Sequence, residues 1–447
     1  MYIYERQRQT PVIWQGDLCV VGGSATGVFA AVRAARLGLR VMLAEKQNCF
    51  GGVATNGLVN VWHTYKDTEK KKQIIAGLSA EVTDRLEPYN AGYVDWADSH
   101  CFNPQELKVE LDRLMDESGA EYLFHTYYVG LDTEGDKVRA VFVENKDGRG
   151  AVKADFFIDA TGDGDLARDL GIQSYVHENI QPPSACFLLQ GDTEGLDVQK
   201  LIRRHGKEFG LEEDYGWNNR LPRCRDITMR ADTHVVGYRC DSARDLTKAE
   251  VEGRRKARAL VEMLNKYGKP GVAYNNLNAC SYMGIRESVH YRTLYQANEN
   301  DLLLGTRYED AILNGTYGAD MHFGDKGIVL RYIDGSYTRE NADGTVTRGN
   351  WRREKGIGEE EPVPTYYQLP FRCLGGERWQ NFIAAGRMLN ADMGAFGALR
   401  VMVNLNQIGE AAGVAAYLSI HHGQSVQELD GVEVARTLSR GGSANLG

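Results

Sequence analysis

The sequence predicts an α/β protein in which two distant segments build one central parallel sheet and an α+β segment is inserted between them. Three observations predict this fold. An apolar strand runs into a glycine turn at residues 18–27, and a second strand ends in a Gly/Asp turn at residues 159–165. A third strand, at residues 381–387, precedes a long helix rich in small residues. Abrupt strand-to-helix switches of this kind are typical of parallel sheets covered by helices.

The first element is the segment from Asp17 to Glu45. Leu18–Val21 is a short apolar run that suits a strand buried on both faces, and residues 39–44 form the next predicted strand. The turn after the first strand reads Gly22-Gly23-Ser24-Ala25-Thr26-Gly27. Gly22 permits the tight turn, and Gly27 lets the following helix pack closely against the sheet. Because a helix N-terminus offers free N–H groups to phosphates, the segment predicts a Rossmann-like adenine dinucleotide site.

Two side chains refine this prediction. Ser24 stands where the motif usually has its second glycine, and its small hydroxyl can itself donate to a phosphate oxygen. Glu45 ends the second strand, where a carboxylate accepts from ribose hydroxyls. An acidic residue at this place favours an unphosphorylated ribose, hence FAD or NAD over NADP. The alternative is that the glycines serve only a structural turn.

The next elements follow in the same way. Apolar residues at helical spacing predict a helix over 105–118, and residues 122–131 predict a strand. Residues 137–144 and 151–156 predict a hairpin, because Asp147-Gly148-Arg149-Gly150 is a strong turn signal. The strand that ends at Asp159 then turns through Ala160-Thr161-Gly162-Asp163 into a helix. These polar residues either face a phosphate or ribose, or only cap the helix.

The character of the chain changes after Pro182-Pro183. A charged amphipathic helix is predicted over 250–266, and residues 315–364 are rich in polar residues and tyrosine. Towards the C-terminus a loop is predicted over 395–400 and a helix over 401–421. We therefore expect a nucleotide-binding domain at 1–180 and 366–430, a substrate domain at 181–365, and a C-terminal tail at 431–447.

Composition excludes several functions. The net charge of −9 argues against a nucleic-acid partner. No stretch reaches the roughly 18 uncharged apolar residues of a membrane span, and the N-terminus lacks the apolar core of a signal peptide. The 8 cysteines include no Cys-x-x-Cys pair, so we expect neither a metal site nor a redox dithiol. Reduced thiols predict a cytoplasmic protein.

Taken together, these segments resemble the FAD-dependent oxidoreductase family that shares the glutathione-reductase type of FAD-binding fold. The match rests on the first glycine motif followed by residues 51–55, on the turn at 159–165, and on the block from 384 through 400 to the last helix. Residues 283–288 and 369–374 also resemble this family. The resemblance implies a Rossmann-like FAD-binding domain, discontinuous in sequence, with an inserted α+β substrate domain.

The resemblance also implies a set of FAD-binding residues. It consists of Gly22, Gly23, Ser24, Ala25, Thr26, Gly27, Glu45, Lys46, Gly52, Val53, Ala54, Thr55, Val129, Ala160, Thr161, Gly162, Gly386, Arg387, Arg400, Asn404 and Asn406. Residues 22–27 would hold the pyrophosphate, Glu45 the adenosine ribose, and the backbone of Val129 the adenine. The N-terminus of the last helix, near Asn404 and Asn406, would point its positive dipole end at the flavin ring.

Three polar residues are candidates for catalysis. His63 follows the loop that heads toward the flavin, and it is a candidate general base or covalent flavin anchor. Arg286 is a candidate for binding a substrate carboxylate or hydroxyls. His322 is a third candidate. The alternatives are a satisfied structural histidine at 63 and at 322, and a salt bridge of Arg286 with Glu287 or another neighbour.

The sequence therefore predicts an FAD-dependent dehydrogenase or oxidase that transfers a hydride from a small polar metabolite to the flavin. There is no second dinucleotide motif, so electrons are expected from the substrate itself or from a partner. Two alternatives remain: a flavin monooxygenase, and an adenine-nucleotide-binding module without redox turnover. The electron acceptor, covalent or free flavin, and homo-oligomer formation stay open.

Overall fold

A seven-stranded sheet forms the centre of the protein in this computed structural model, which describes residues 3, 8–90, 98–212, 216–323, 327–341 and 344–442. In chain order the strands are β1 (Val12–Val21), β2 (Val41–Ala44), β3 (Val61–Trp62), β4 (His100–Cys101), β5 (Glu121–Leu123), β6 (Tyr127–Glu134), β7 (Lys137–Asn145), β8 (Gly148–Asp159), β9 (Ser174–Tyr175), β10 (Phe187–Gln190), β11 (Asn218–Arg220), β12 (Ile227–Arg230), β13 (Asn275–Ala279), β14 (His290–Tyr291), β15 (Ala311–Gly315), β16 (Ala319–His322), β17 (Gly327–Arg331), β18 (Ser336–Asn341), β19 (Val346–Asn350), β20 (Tyr367–Pro370) and β21 (Phe382–Ala384). The helices are α1 (Ala25–Arg36), α2 (Gly77–Asn90), α3 (Pro104–Ser118), α4 (Asp165–Asp169), α5 (Val198–His205), α6 (Ala243–Tyr267), α7 (Glu299–Leu303), α8 (Trp351–Glu354), α9 (Met393–Leu399), α10 (Met402–His422) and α11 (Gly431–Arg440).

The central sheet has the order β5-β2-β1-β8-β7-β6, and β21 also pairs with β8. Strands β5, β2, β1 and β8 are parallel, as is the β21–β8 pair, whereas β6, β7 and β8 form an antiparallel meander. The C-terminal strand β21 thus joins a sheet whose other strands all come from the first 160 residues. This parallel-rich sheet with helices confirms the predicted α/β class with a Rossmann-like core.

Both faces of the sheet are covered. Leu18 and Val20 of β1 pack into a core with α1, α3 and α10, while Cys19 and Val21 pack into a second core with the meander and α4. This alternation is what a strand buried on both faces requires. Trp379 belongs to the second core, so residues before β21 help to cover that face.

Helices α1 and α10 approach each other very closely. A Cβ on Gly409 or Gly413 of α10 would collide with backbone carbonyl oxygens of α1. A buried ion pair between Arg33 and Glu410 joins the same two helices. The other oxygen of Glu410 accepts from the Leu78 backbone N–H at 3.0 Å. These contacts explain why α10 is rich in small residues.

The inserted region contains two four-stranded antiparallel sheets. One has the order β11-β12-β10-β13 and packs against α6, and the other has the order β16-β17-β18-β19. The pairs β3–β4, β9–β14 and β15–β20 complete the strands. Mixed helices and antiparallel sheets agree with the predicted α+β character of this region.

The predicted tail is only partly described, since residues 443–447 lie outside the described residues. Its helix α11 packs into the main core through Val434 and Leu438. The exact domain division stays a prediction.

Three predicted elements differ from the structure. The strand predicted over 122–131 is divided into β5 and β6, since His125 adopts a positive φ of 51° between them. The helix predicted over 250–266 begins earlier, where Ser242 caps its N-terminus. The loop predicted over 395–400 is helix α9, which Asp392 caps by accepting from the Ala395 N–H.

Within the described part of the chain, no helix combines the length and the apolar character needed to cross a bilayer.

Candidate active site

A cavity of about 750 Å³ lies where the carboxyl ends of β1, β8 and β21 meet the N-terminus of α1. The carboxyl edge of a parallel sheet is where this fold class binds its ligands. Three segments that are distant in sequence line this cavity together. The predicted residues that line it are Ser24, Ala25, Thr26, Val53, Ala160, Gly162, Gly386, Arg387, Arg400, Asn406, His63, Arg286 and His322.

Two positions of the turn at the start of α1 require glycine because protein backbone lies directly against them. Gly22 has a φ of 103°, and a Cβ there would collide with the Ala160 carbonyl. A Cβ on Gly27 would collide with the carbonyl oxygen of Gly22. Ser24 is the N-cap of α1, and its Oγ accepts from the Gly27 N–H at 3.4 Å. The serine hydroxyl therefore serves the helix itself, as well as lining the cavity.

Glu45 is buried at the end of β2, beside this turn. One carboxylate oxygen accepts from the Gly23 N–H, and the other accepts from the Gln47 N–H at 2.7 Å. Burial raises the pKa of Glu45, although these backbone donors act in the opposite direction. Glu45 is thus fixed next to the glycine turn, and its role toward a ribose stays a prediction.

Asp159 organises the second strand-to-helix turn. Its carboxylate accepts from Thr161 Oγ1 at 2.7 Å and from the Leu166 N–H at 2.8 Å. The carboxylate of Asp163, in the same turn, pairs with Arg387 at 2.5 Å and accepts from Ser288 Oγ at 2.7 Å. The alternative that the polar residues of this turn only cap the helix is therefore partly right. The carboxylate of Asp159 accepts hydrogen bonds within the turn, whereas Gly162 lines the cavity.

The start of α10 reaches the cavity through Asn406. Asn404 instead turns inward, where its side-chain amide donates to Tyr367 Oη at 3.1 Å and to the Ala398 carbonyl at 3.0 Å. Among the described residues, the buried atoms of the cavity wall without a hydrogen-bond partner include Arg387 Nε, Arg400 Nε, Asn406 Oδ1 and Asp320 Oδ1. Buried polar groups are normally satisfied, so these atoms fit a polar ligand that carries both acceptors and donors. The phosphates and the ring of the predicted FAD are such groups.

The remaining predicted FAD-binding residues, all within the described ranges, do not line the cavity. They are Gly22, Gly23, Gly27, Glu45, Lys46, Gly52, Ala54, Thr55, Val129, Thr161 and Asn404. Gly52 lies between the lining residues Gly51 and Val53. The Lys46 ammonium lies 5.3 Å from the ring centre of Tyr282. Val129 is exposed on β6, and its adenine contact stays a prediction.

The cavity brings the three catalytic candidates together. His63 packs against Tyr317, with 4.3 Å between the ring centres and the rings tilted by 35°. Arg286 donates to the Pro182 carbonyl at 2.8 Å and to Ser184 Oγ at 2.7 Å. The alternative of an Arg286–Glu287 salt bridge is not found, since the Glu287 carboxylate contacts His177 and His290 instead.

Asp320 is a cavity residue that the sequence analysis missed. Its Oδ2 lies 2.5 Å from Arg400 Nη2 and accepts from Tyr317 Oη at 3.2 Å, while its Oδ1 lies 3.3 Å from His322 Nε2. Burial alone would raise the pKa of Asp320, but the charge of Arg400 and the nearby His322 hold that pKa well below its usual range. An ionised aspartate therefore connects two of the predicted site residues.

His322 is buried against this aspartate. Burial lowers the pKa of His322, and the charge of Asp320 offsets only part of that effect. The rings of His234 and His322 lie 5.4 Å apart, and both side chains line the cavity. Because the pKa is lowered, the imidazole is neutral near pH 7 and can accept a proton.

Comparison with known proteins adds the family. The model of the family described as FAD dependent oxidoreductase matches residues 17–438. Mitochondrial dihydrolipoyl dehydrogenase of Schizosaccharomyces pombe is 34% identical over 82 residues, which are 16% of this chain and 16% of that protein. The match to this curated relative is therefore confined to a small part of its length.

Two solved structures are similar over nearly the whole chain. A geranylgeranyl bacteriochlorophyll reductase-like protein of Thermoplasma acidophilum has a TM-score of 0.46 at 11% identity, covering 96% of this chain and 84% of that one. The p-nitrophenol 4-monooxygenase of Pseudomonas putida has a TM-score of 0.44 at 12% identity, covering 95% and 85%. Neither likeness is strong enough to indicate a substrate.

The family match spans the glycine turn, the cavity and the last two helices. It thereby includes all three segments that the sequence analysis connected and that the structure brings to one cavity. The chain therefore belongs to the FAD-dependent oxidoreductase family, and it is an enzyme with FAD as its cofactor.

Proposed function

We propose that the enzyme is a dehydrogenase or oxidase that removes a hydride from a small polar metabolite. The observation that carries this proposal is the Asp320–His322 pair in the wall of the FAD cavity. Oxidation of a C–H bond next to a hydroxyl or amine releases a proton as well as a hydride. A neutral, oriented histidine beside the cofactor is suited to accept that proton.

The cofactor would be held by residues from all three segments. The N-terminus of α1 at Ser24–Thr26 would receive the pyrophosphate, because its N–H groups and helix dipole favour an anion. Arg387 and Asn406 have unpaired buried atoms in the cavity wall and would meet polar atoms farther along the cofactor. When bound, FAD supplies a ring that accepts two electrons as a hydride.

The proton would go to His322. Asp320 Oδ1 lies beside Nε2 of this ring, so an N–H there leaves Nδ1 as the basic nitrogen. The substrate hydroxyl loses its proton to Nδ1 and the adjacent carbon loses a hydride, which leaves a carbonyl product. Asp320 stays ionised and stabilises the imidazolium that results. FAD held in this cavity would supply the acceptor for that hydride, and a separate electron acceptor would complete the turnover.

Arginine side chains would orient the substrate. Arg286 and Arg400 both line the cavity, and each is fixed by its own partners: Arg286 by the Pro182 carbonyl, and Arg400 by Asp320. A guanidinium held in this way binds a carboxylate or a pair of hydroxyls with a defined geometry. A hydroxy acid or a sugar derivative would satisfy both arginines and the base.

The experiment is anaerobic reduction of the purified yellow protein with panels of sugars, hydroxy acids and amines, followed by flavin absorbance. One class should bleach the flavin without NAD(P)H. His322→Asn should slow bleaching by about 100-fold or more, since general base catalysis contributes about 10²–10⁴-fold. The control is His205→Asn, because His205 stacks on Tyr267 far from the cavity.

Other outcomes would decide against the proposal. Reduction only by NAD(P)H, followed by insertion of oxygen into a substrate, would favour a flavin monooxygenase. Protein that binds adenine nucleotides but never retains flavin would favour a binding module. A separate result would concern only how the flavin is attached. Colour that stays with acid-precipitated protein, and is lost in His63→Ala, would assign His63 as a covalent anchor.

The cellular location is part of the same proposal. All 8 cysteines are free thiols, which supports a reducing compartment such as the cytoplasm. The proposal requires a small diffusing substrate and an electron acceptor.

A further inference from the structure

A second polar cluster lies outside the cavity wall. It consists of His177, Glu287 and His290, whose three side-chain ligand atoms lie within 4.8 Å of one another. The side chains of Glu287 and His290 are completely buried, and that of His177 is 10% exposed. His177 follows β9, and His290 opens the partner strand β14, so the cluster lies where these two strands pair.

In each histidine ring, the nitrogen that points away from Glu287 (the outer nitrogen) already contacts a backbone carbonyl. His177 Nε2 lies 3.0 Å from the Ala391 carbonyl oxygen, and His290 Nδ1 lies 2.8 Å from the Leu389 carbonyl oxygen. A carbonyl oxygen only accepts hydrogen bonds, so each of these nitrogens carries a hydrogen. When both rings are neutral, the nitrogens that face Glu287 (the inner nitrogens) carry no hydrogen and present lone pairs.

Both inner nitrogens face the same carboxylate oxygen. Glu287 Oε1 lies 2.6 Å from His177 Nδ1 and 3.0 Å from His290 Nε2. The other oxygen, Oε2, accepts from the Gln181 N–H at 2.7 Å, which fixes the carboxylate. Three groups that can each offer a lone pair thus converge in a buried place, so either protons or a cation must lie between them.

We propose that His177, Glu287 and His290 bind one divalent transition-metal ion. Two nitrogens and one carboxylate oxygen form a ligand set that suits Zn²⁺, Co²⁺ or Fe²⁺ better than Mg²⁺ or Ca²⁺. A metal-bound histidine usually donates its other N–H to a carbonyl or carboxylate, as both rings do here. The short separation of His177 Nδ1 and Glu287 Oε1 would widen slightly when the ion enters.

Protons on the two rings could supply the positive charge in place of a metal ion, but at a higher electrostatic cost. Two imidazolium rings would then be in contact, since the ring centres of His177 and His290 are 4.4 Å apart. Two like charges would share one carboxylate in a buried environment. A single ion replaces both protons and contacts all three ligands.

The ion would have a structural role beside the FAD site. It would join β9, β14 and the segment 389–391, and Glu287 directly follows the cavity residue Arg286. This role is independent of the reaction proposed above, because none of the three ligands lines the cavity.

The test is zinc binding by the FAD-loaded protein after treatment with EDTA and dialysis. Calorimetric titration with ZnCl₂ should give one ion per chain. His177→Ala, Glu287→Gln and His290→Ala should each weaken binding by at least about tenfold, in line with the loss of a metal contact. His205→Ala should bind zinc like the wild type, since His205 lies outside the cluster.

A second measurement needs no variant. X-ray absorption of the zinc-loaded wild type should show nitrogen and oxygen neighbours with two imidazole rings. Wild-type protein that takes up no zinc, a shell that contains sulfur, or variants that fold and bind zinc as tightly as the wild type would each overturn the proposal. If a variant loses its flavin, its zinc affinity is set aside, and the X-ray absorption spectrum of the wild type decides the question.

Discussion

Arg400 and Asp320 form a buried ion pair in the cavity wall, with 2.5 Å between Nη2 and Oδ2 and only about a tenth of each side chain exposed. The two residues are 80 positions apart and lie at the end of α9 and in β16. Gly397 of α9 packs directly on the backbone of Asp320, which brings these elements together. The pair connects α9 to the sheet β16-β17-β18-β19.

Asp320→Asn should destabilise the enzyme and slow its reaction. Removing one partner leaves a buried guanidinium unpaired, which costs about 3–5 kcal/mol. Urea unfolding of the FAD-loaded protein measures this loss. As a control, Glu359→Gln breaks the exposed Arg353–Glu359 pair and should leave the unfolding midpoint unchanged. Equal midpoints for the two variants would contradict the buried-pair assignment.

The pH dependence of kcat/KM should report His322. Burial lowers the pKa of His322 from its ordinary value of about 6.5, against the opposing charge of Asp320 and together with Arg286 and Arg400. The basic form is therefore present at pH 7, and kcat/KM should fall only when the pH drops below about 6.5. His322→Asn should remove this acid limb. A limb that persists in the variant would assign the titration to another group.

Gly22→Ala should abolish FAD retention. The matched control is Gly38→Ala, since both glycines have nearly the same φ (103° and 102°) but only Gly22 has the Ala160 carbonyl in the way of a Cβ. Both variants should lose stability of order 1 kcal/mol from backbone strain. Only Gly22→Ala should purify without flavin, as measured by the ratio of absorbance at the flavin band to that of protein. Loss of flavin in both would show that strain alone is responsible.

Ser24→Gly should keep FAD, whereas Ser24→Ala should weaken helix α1. Ser24 caps this helix, and replacing an N-cap serine by alanine costs about 1 kcal/mol but by glycine only a few tenths. Glycine would also restore the usual form of the motif. Thermal melting and flavin content of the two variants give the comparison. Flavin binding that is equally weak in both variants, and weaker than in the wild type, would indicate that the hydroxyl contacts the cofactor.

The parallel core could be predicted because its signals are local. The apolar run at Leu18–Val21, the glycine turn and the small residues of α10 each indicate a structure within a few residues. The loop predicted over 395–400 was wrong because glycine and alanine masked a short helix, although Asp392 is a good N-cap. Local signals were enough for the sheet and too weak for α9.

The site could be predicted only in part. His63, Arg286 and His322 were proposed separately, and the tertiary structure places all three in one cavity. Asp320 gave no signal, because its importance comes from Arg400, 80 residues away. The cluster at His177, Glu287 and His290 lacks the spacing of familiar metal motifs, so long-range folding alone reveals it.

The close packing of α1 against α10 also affects the order in which this protein can mature during synthesis. Arg33 and Glu410 are 377 residues apart, so the ribosome must make almost the whole chain before α1 meets its partner. Until then helix α1 has an unprotected face of alanine and glycine. We therefore expect FAD loading to be a late event, and chains that stop before Met402 should be degraded rather than yield the yellow holoenzyme.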